Sequence, residues 1–204
     1  MKKEINICPI VVVGAWNRAI FTPEWVKKYI LTKYDKFQIR VPETRIYDSS
    51  LQFVTPDFAI NIIGERLEFR MVNNAEHAIE CLRNILRILP HTPITSMGIN
   101  TTYSEDISQI PDSLKKELNL KDDFNGLEII SIGTTITLKI SEQSFLNISI
   151  SKKNNTVTFD FNYDFKIEES KNIFEIIGED DTIILKKEKE SIELLTNEYG
   201  LRIE

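Results

Sequence analysis

The stretch Thr156-Val157-Thr158-Phe159-Asp160-Phe161-Asn162-Tyr163-Asp164-Phe165 decides the fold class. Val157, Phe159, Phe161, Tyr163 and Phe165 occupy every second position, with polar side chains between them. A period of two sends successive side chains to opposite faces, so this is a strand with one apolar and one polar face. Aromatic and β-branched residues suit that pleated setting. Upstream, residues 145–151 read as a second strand, and Lys153-Asn154-Asn155 as the hairpin tip joining the two. Residues 127–132 and 134–140 add two more extended pieces. In the N-terminal half, 51–54, 58–63 and 66–72 read as strands, the last two joined at Gly64-Glu65. There Leu67, Phe69 and Met71 alternate with Arg66, Glu68 and Arg70, which predicts an antiparallel sheet with one solvated face. Residues 5–16, carrying Ile7, Ile10, Val11, Val12 and Val13, read as a largely buried strand with Pro9 at an edge or bulge. Residues 36–41 and 94–103 are extended as well.

Helix signals separate these strands. In Phe21-Thr22-Pro23-Glu24-Trp25-Val26, Thr22 suits the N-cap, Pro23 the first helical position and Glu24 the positive end of the dipole. Phe21 and Val26 hold the two positions of a hydrophobic staple, and the helix is expected to reach about residue 31. A second helix starts after a cap at Asn73 or Asn74, carries Ile79, Leu82, Ile85, Leu86 and Leu89 as its apolar stripe, and stops at Pro90. A third covers roughly 182–199, with Ile184, Ile192, Leu195 and Tyr199 inward and Gly200 as the residue after its end. The acidic run 168–181 reads as a loop. Residues 104–123 are polar, with Pro111 and a short amphipathic piece at Leu114 and Leu118, and mark an internal boundary. The expected fold is one α+β domain of two pseudo-repeats, each an antiparallel β-meander plus helix. The first covers about 1–103 and the second about 124–204, with the sheets packed on two or three helices.

Two passages bear a likeness to known chains: the hairpin–helix–strand run 58–103, with Ile94-Thr95-Ser96-Met97-Gly98-Ile99-Asn100 as a strand holding an internal glycine, and the acidic, aromatic Phe159-Asp160-Phe161-Asn162-Tyr163 before the last helix. Through them the sequence resembles a sporadically distributed family of uncharacterised bacterial two-repeat α+β proteins. The resemblance implies a fold and no catalytic residue.

The chain has 204 residues, 42% hydrophobic and 27% charged, with 7 Gly and 7 Pro, which excludes collagen-like, low-complexity and disulfide-scaffold classes. No apolar run approaches the ~20 residues needed to span a bilayer, and the first six residues lead into no apolar signal core. Cys8 and Cys81, the two cysteines, read as reduced thiols of a cytoplasmic protein. Residues 1–103 carry 13 Lys+Arg against 10 Asp+Glu, and residues 104–204 carry 12 against 21. Such a split argues against nucleic-acid binding over the whole surface, which needs clustered cations.

No GxSxG, SxxK, P-loop or GxGxxG occurs. His77, in Glu76-His77-Ala78-Ile79-Glu80, lacks an HExxH or ExxH partner, so no metal and no cofactor are expected; His91, after Pro90, reads as a cap. Asp160 and Asp164 share the polar face of their strand and form a candidate cation or acid–base pair. Trp16-Asn17-Arg18 and Trp25 gather both tryptophans around a cation and an amide, the residue types enriched in binding hot spots. Arg66 and Arg70, with Arg45, form a candidate basic face, but Phe69 points away from it, so nucleic acid is not the expected partner.

The expectation is therefore a non-enzymatic protein-binding or self-associating component of the bacterial cytoplasm, with no membrane partner, that binds through a sheet edge or through the Trp16–Trp25 region. The family resemblance and the acidic C-terminal half add a role accessory to a defence or toxin-neutralising system. Two alternatives are a small-ligand or nucleotide sensor with a cavity between sheet and helix, and a divergent hydrolase using Asp160 and Asp164.

Overall fold

A computed structural model of the chain describes residues 1–4, 9–40, 51–70, 72–118, 123–124, 127–128, 131–169, 172–178 and 182–203. The fold is α+β with mostly antiparallel pairing. In chain order the strands are β1 Lys2–Lys3, β2 Ile10–Gly14, β3 Gln38–Arg40, β4 Leu51–Val54, β5 Ala59–Ile63, β6 Arg66–Arg70, β7 Ile94–Asp106, β8 Asp123–Phe124, β9 Leu127–Glu128, β10 Ser131–Lys139, β11 Ser144–Lys153 and β12 Thr156–Lys166. The helices are α1 Pro23–Tyr29, α2 Ala75–Ile88, α3 Asp112–Glu117, α4 Asn172–Ile177 and α5 Ile183–Asn197. The chain divides into two compact units that are each discontinuous in sequence. One comprises Met1–Glu4, Asn100–Asp164 and Lys186–Glu204; the other comprises Ile5–Ile99 and Phe165–Leu185.

In the unit of Ile5–Ile99 and Phe165–Leu185 the strand order is β7–β2–β6–β5–β4–β3. Antiparallel register places Phe53, Ile60, Phe69, Ile10 and Ile99 in one cross-strand row, and Ile62, Leu67, Val12 and Met97 in the next. All nine are buried, each contributing about 1.5–3 kcal/mol of transfer free energy. Thr22 caps α1, its hydroxyl accepting from the Trp25 amide at 3.2 Å, and the staple residues Phe21 and Val26 are buried. Asn74 is the cap of α2, accepting from the His77 amide at 3.0 Å, and Ile79, Leu82, Ile85 and Leu86 are its buried stripe. Gly14 lies where the β2–β7 register shifts. A Cβ there would stand 2.5 Å from the Pro93 carbonyl oxygen, so only glycine fits.

Two expectations are corrected in this unit. The acidic run 168–181, read as a loop, contains α4, whose Ile173 and Ile177 are buried. The second face of the β5–β6 hairpin is solvated only in part: Arg66 is exposed, but Glu68 is 6% exposed and Asn61, its cross-strand partner, 3%. Glu68 is accommodated by Arg70, whose guanidinium donates to the carboxylate at 2.7 and 2.9 Å. Asn61 Oδ1 is buried with no hydrogen-bond partner among the described residues.

In the unit of Met1–Glu4, Asn100–Asp164 and Lys186–Glu204 the order is β10–β11–β12–β7, with β1 paired to β7. Asn154, at φ 53, turns the β11–β12 hairpin. Val157, Phe159, Phe161 and Tyr163 are buried on the face that the period of two assigned to them. α5 packs on this face. Ser191 Oγ meets Thr101 Oγ1 at 2.8 Å and Tyr163 OH at 3.1 Å, and the Tyr199 ring meets Phe159 at 5.6 Å. Gly200, at φ 66, ends the helix, and the Leu201 amide returns to the Leu195 carbonyl at 2.9 Å. Residues 104–118 include the expected short amphipathic piece as α3. They finish β7, form a turn capped by Asp106, dock the Ile107 amide on the Asn155 carbonyl at 2.8 Å and bury Leu114 of α3. Among the described residues there are five α-helices rather than two or three, and none is long and apolar enough to cross a membrane.

Candidate functional site

The aromatic–arginine cluster is mostly a packing device. Trp16 is 6% exposed, and its indole N–H donates to the Val12 carbonyl at 3.0 Å. Phe21 links it edge-on to Trp25, with centroid distances of 6.4 and 5.3 Å. Asn17 caps a short 3-10 turn by accepting from the Ala19 amide. Trp25 and Arg18 are half-buried, so they alone of the four combine bulk with access to solvent. Arg66 is exposed, Arg70 is held by Glu68, and Arg45 lies outside the described residues, as does Cys8.

Asp160 and Asp164 sit on the polar face of β12 and are half-buried. Asp160 accepts from the Thr102 hydroxyl at 2.5 Å. Four residues of strand set the Cα atoms of Asp160 and Asp164 about 13 Å apart, too far for two short side chains to share one cation. Between them Asn162 belongs to a cross-strand ladder. Its amide nitrogen donates to Asn100 Oδ1 at 2.6 Å, its oxygen accepts from Asn147 at 3.1 Å, and Asn147 Oδ1 accepts from the Thr137 hydroxyl at 2.8 Å. The steps Thr102–Asp160 and Asn100–Asn162 run in opposite directions along the two strands, which makes β7–β12 antiparallel.

One polar cluster escaped the sequence reading. Asp57 Oδ2 accepts from Tyr34 OH at 2.6 Å and stands 3.0 Å from His77 Nδ1. The bond from Tyr34, then that from His77, holds the Asp57 carboxyl below the usual range; burial, then Asp57 itself, raises the Tyr34 phenol. Residues 20 and 23 positions apart carry no local signature of such a pairing. One turn along α2 from His77, the Cys81 thiol donates to the Ile30 carbonyl at 3.4 Å and is pushed up to about 12 by burial and then by the charge of Glu80. A thiol held protonated in this way is a poor nucleophile. The hollow beside these side chains admits no more than about one water. An open depression of about 670 Å³ lies elsewhere on α2, lined by Arg83, Arg87, Phe174, Glu175 and Gly178, with the Arg83 guanidinium donating to the Gly178 carbonyl. Among the described residues no three His, Cys, Asp or Glu side chains converge as metal ligands.

The strongest anomaly is β10. Among the described residues it ends the strand order, with its partner β11 on one side only. Ile136 and Leu138 stand opposite buried Ile148 and Leu146, on the apolar face of the sheet, yet are 38% and 44% exposed; Ile140, just beyond the strand, is 53% exposed. α5 sits over Tyr163 and Thr101, on β12 and β7. A helix about 10 Å across spans roughly two strands at ~4.8 Å spacing, so this helix does not reach β10. The Ile140 amide donates to the Ser144 carbonyl at 2.9 Å. Alternation along an antiparallel pair then turns the backbone groups of 132, 134, 136 and 138 toward β11 and those of 131, 133, 135, 137 and 139 outward. On the outer row Thr135 bonds Ser149 at 3.0 Å and Thr137 ends the amide ladder. Natural sheets blunt long edges with prolines, charges or short strands. The nine residues of β10 contain no proline, and their single charge is the terminal Lys139.

No family model matches the sequence, and no curated protein matches it.

Proposed function

We propose that the protein is a non-enzymatic binding or assembly component that takes an extended polypeptide segment onto the open edge of β10. The observation that carries this reading is a nine-residue edge strand with outward backbone donors and acceptors beside exposed Ile136, Leu138 and Ile140. Strand addition draws affinity from such main-chain groups and specificity from alternate side chains. The resemblance to two-repeat α+β proteins belongs to the same proposal, supported by one hairpin-to-helix passage in each half, β5–β6 into α2 and β11–β12 toward α5.

Thr135→Pro tests the reading. Its lost amide faces outward, where proline is tolerated on an edge strand, so the fold should persist while strand addition is blocked. The wild-type chain should associate with itself or with extended peptides of alternating apolar and polar residues at concentrations up to about 100 μM, and Thr135→Pro should not. Association that survives the substitution, or is absent from the wild type in both assays, refutes the reading.

A further inference from the structure

We infer that the occupant of the β10 edge is a second copy of this chain, paired antiparallel about a two-fold axis at Ile136. The inference rests on the reading of β10 as a docking edge and adds the identity and register of the partner. An isologous interface must be its own complement, and β10 meets that condition. With Ile136 opposite Ile136 of the second copy, Thr134 faces Leu138 and Ile132 faces Ile140, all on the apolar side. On the polar side Thr135 faces Thr137 and Gly133 faces Lys139. The pair Thr135–Thr137 joins residues whose backbone groups both point outward, as ladder formation requires.

Charge does not oppose this register. Lys139 is the one charged residue between 131 and 140, and in this register it meets a glycine. The two copies of Lys139 stand about 20 Å apart, beyond the ~10 Å screening length at moderate salt. The side-chain rows continue as well. Thr137, the end of the Asn100–Asn162–Asn147 ladder, comes beside the Thr135 that is bound to Ser149 in the other copy. Pairing uses the β10 edge of both copies and so closes at two.

The test is mass in solution combined with a register-specific cross-link. Light scattering should give twice the 23.7 kDa chain mass for the wild type, and the single mass for Ile136→Lys, which would place two ammonium groups opposite each other. Ile136→Cys should form an intermolecular disulfide on mild oxidation. Directly opposed residues of a non-hydrogen-bonded antiparallel pair have Cα atoms about 4.5 Å apart, within disulfide range. Ile132→Cys should not cross-link to itself but should do so when mixed with Ile140→Cys. The wild-type chain serves as the control for Cys8 and Cys81. A monomeric wild type, a dimer that persists in Ile136→Lys, or equal cross-linking of Ile132→Cys and Ile136→Cys overturns the inference. If the wild type is monomeric but binds extended peptides in a manner lost in Thr135→Pro, the second copy is refuted and the docking edge stands; if nothing binds, both fall.

Discussion

Proline substituted at two neighbouring positions of β10 should have opposite outcomes, and this contrast probes the register on which the proposed interface depends. Ile136 directs its amide toward β11 in the alternation set by the Ile140–Ser144 bond. Ile136→Pro removes that ladder bond, a net loss of about 1 kcal/mol, and orphans a carbonyl of β11 at a further cost of roughly 1 kcal/mol where water still reaches it. The Ile136 side chain is 38% exposed, so about three-fifths of a ~2.5 kcal/mol burial term, roughly 1.5 kcal/mol, is also at stake. The sum is about 3–4 kcal/mol. Thr135→Pro loses an outward amide that makes no bond to β11 and one exposed hydroxyl contact with Ser149, worth about 0.5 kcal/mol. With a urea dependence of about 2 kcal/mol per molar, the midpoint should fall by about 1.5–2 M for Ile136→Pro and by about 0.3 M for Thr135→Pro. Urea titration followed by circular dichroism is to be run at low micromolar concentration, where association contributes little. Equal shifts would refute the assigned parity, and a larger one for Thr135→Pro would show that the outward groups belong to the even positions.

Two further outcomes concern the polar clusters. Asn162→Ala removes the centre of the amide ladder, leaving Asn100 Oδ1 and Asn147 Nδ2 without their bonds; two half-buried hydrogen bonds correspond to about 2 kcal/mol, and a shift in unfolding free energy below about 0.5 kcal/mol would mean that water replaces them. Because the folded-state Asp57 carboxyl lies below its ordinary value, it stabilises the fold above the unfolded pKa of about 4, and that stabilisation is lost as pH falls through the lower folded value. Asp57→Asn should therefore flatten the decline in thermal midpoint between about pH 5 and pH 2 relative to the wild type, and superimposable profiles would remove Asp57 from the acid response.

The sequence alone determined what depends on neighbours along the chain. The period-two aromatics of β12, the turn at Asn154, the Thr22–Pro23 start of α1 and the stripe of α2 all carry signals within about ten residues, because backbone hydrogen bonds and side-chain facing are set locally there. α4 was missed for the converse reason: Ile173 and Ile177, one turn apart, are too few to show a period inside an acidic run. Residues 134–140 were legible as a strand, but nothing in them says that β11 lies on one side and, among the described residues, no strand on the other, or that α5 stops short of Ile136. Strand order, the burial of Glu68 and Asn61 and the meeting of Asp57 with His77 and Tyr34 come from contacts between residues far apart in the chain. Only the tertiary structure decides which edges and faces those contacts leave open.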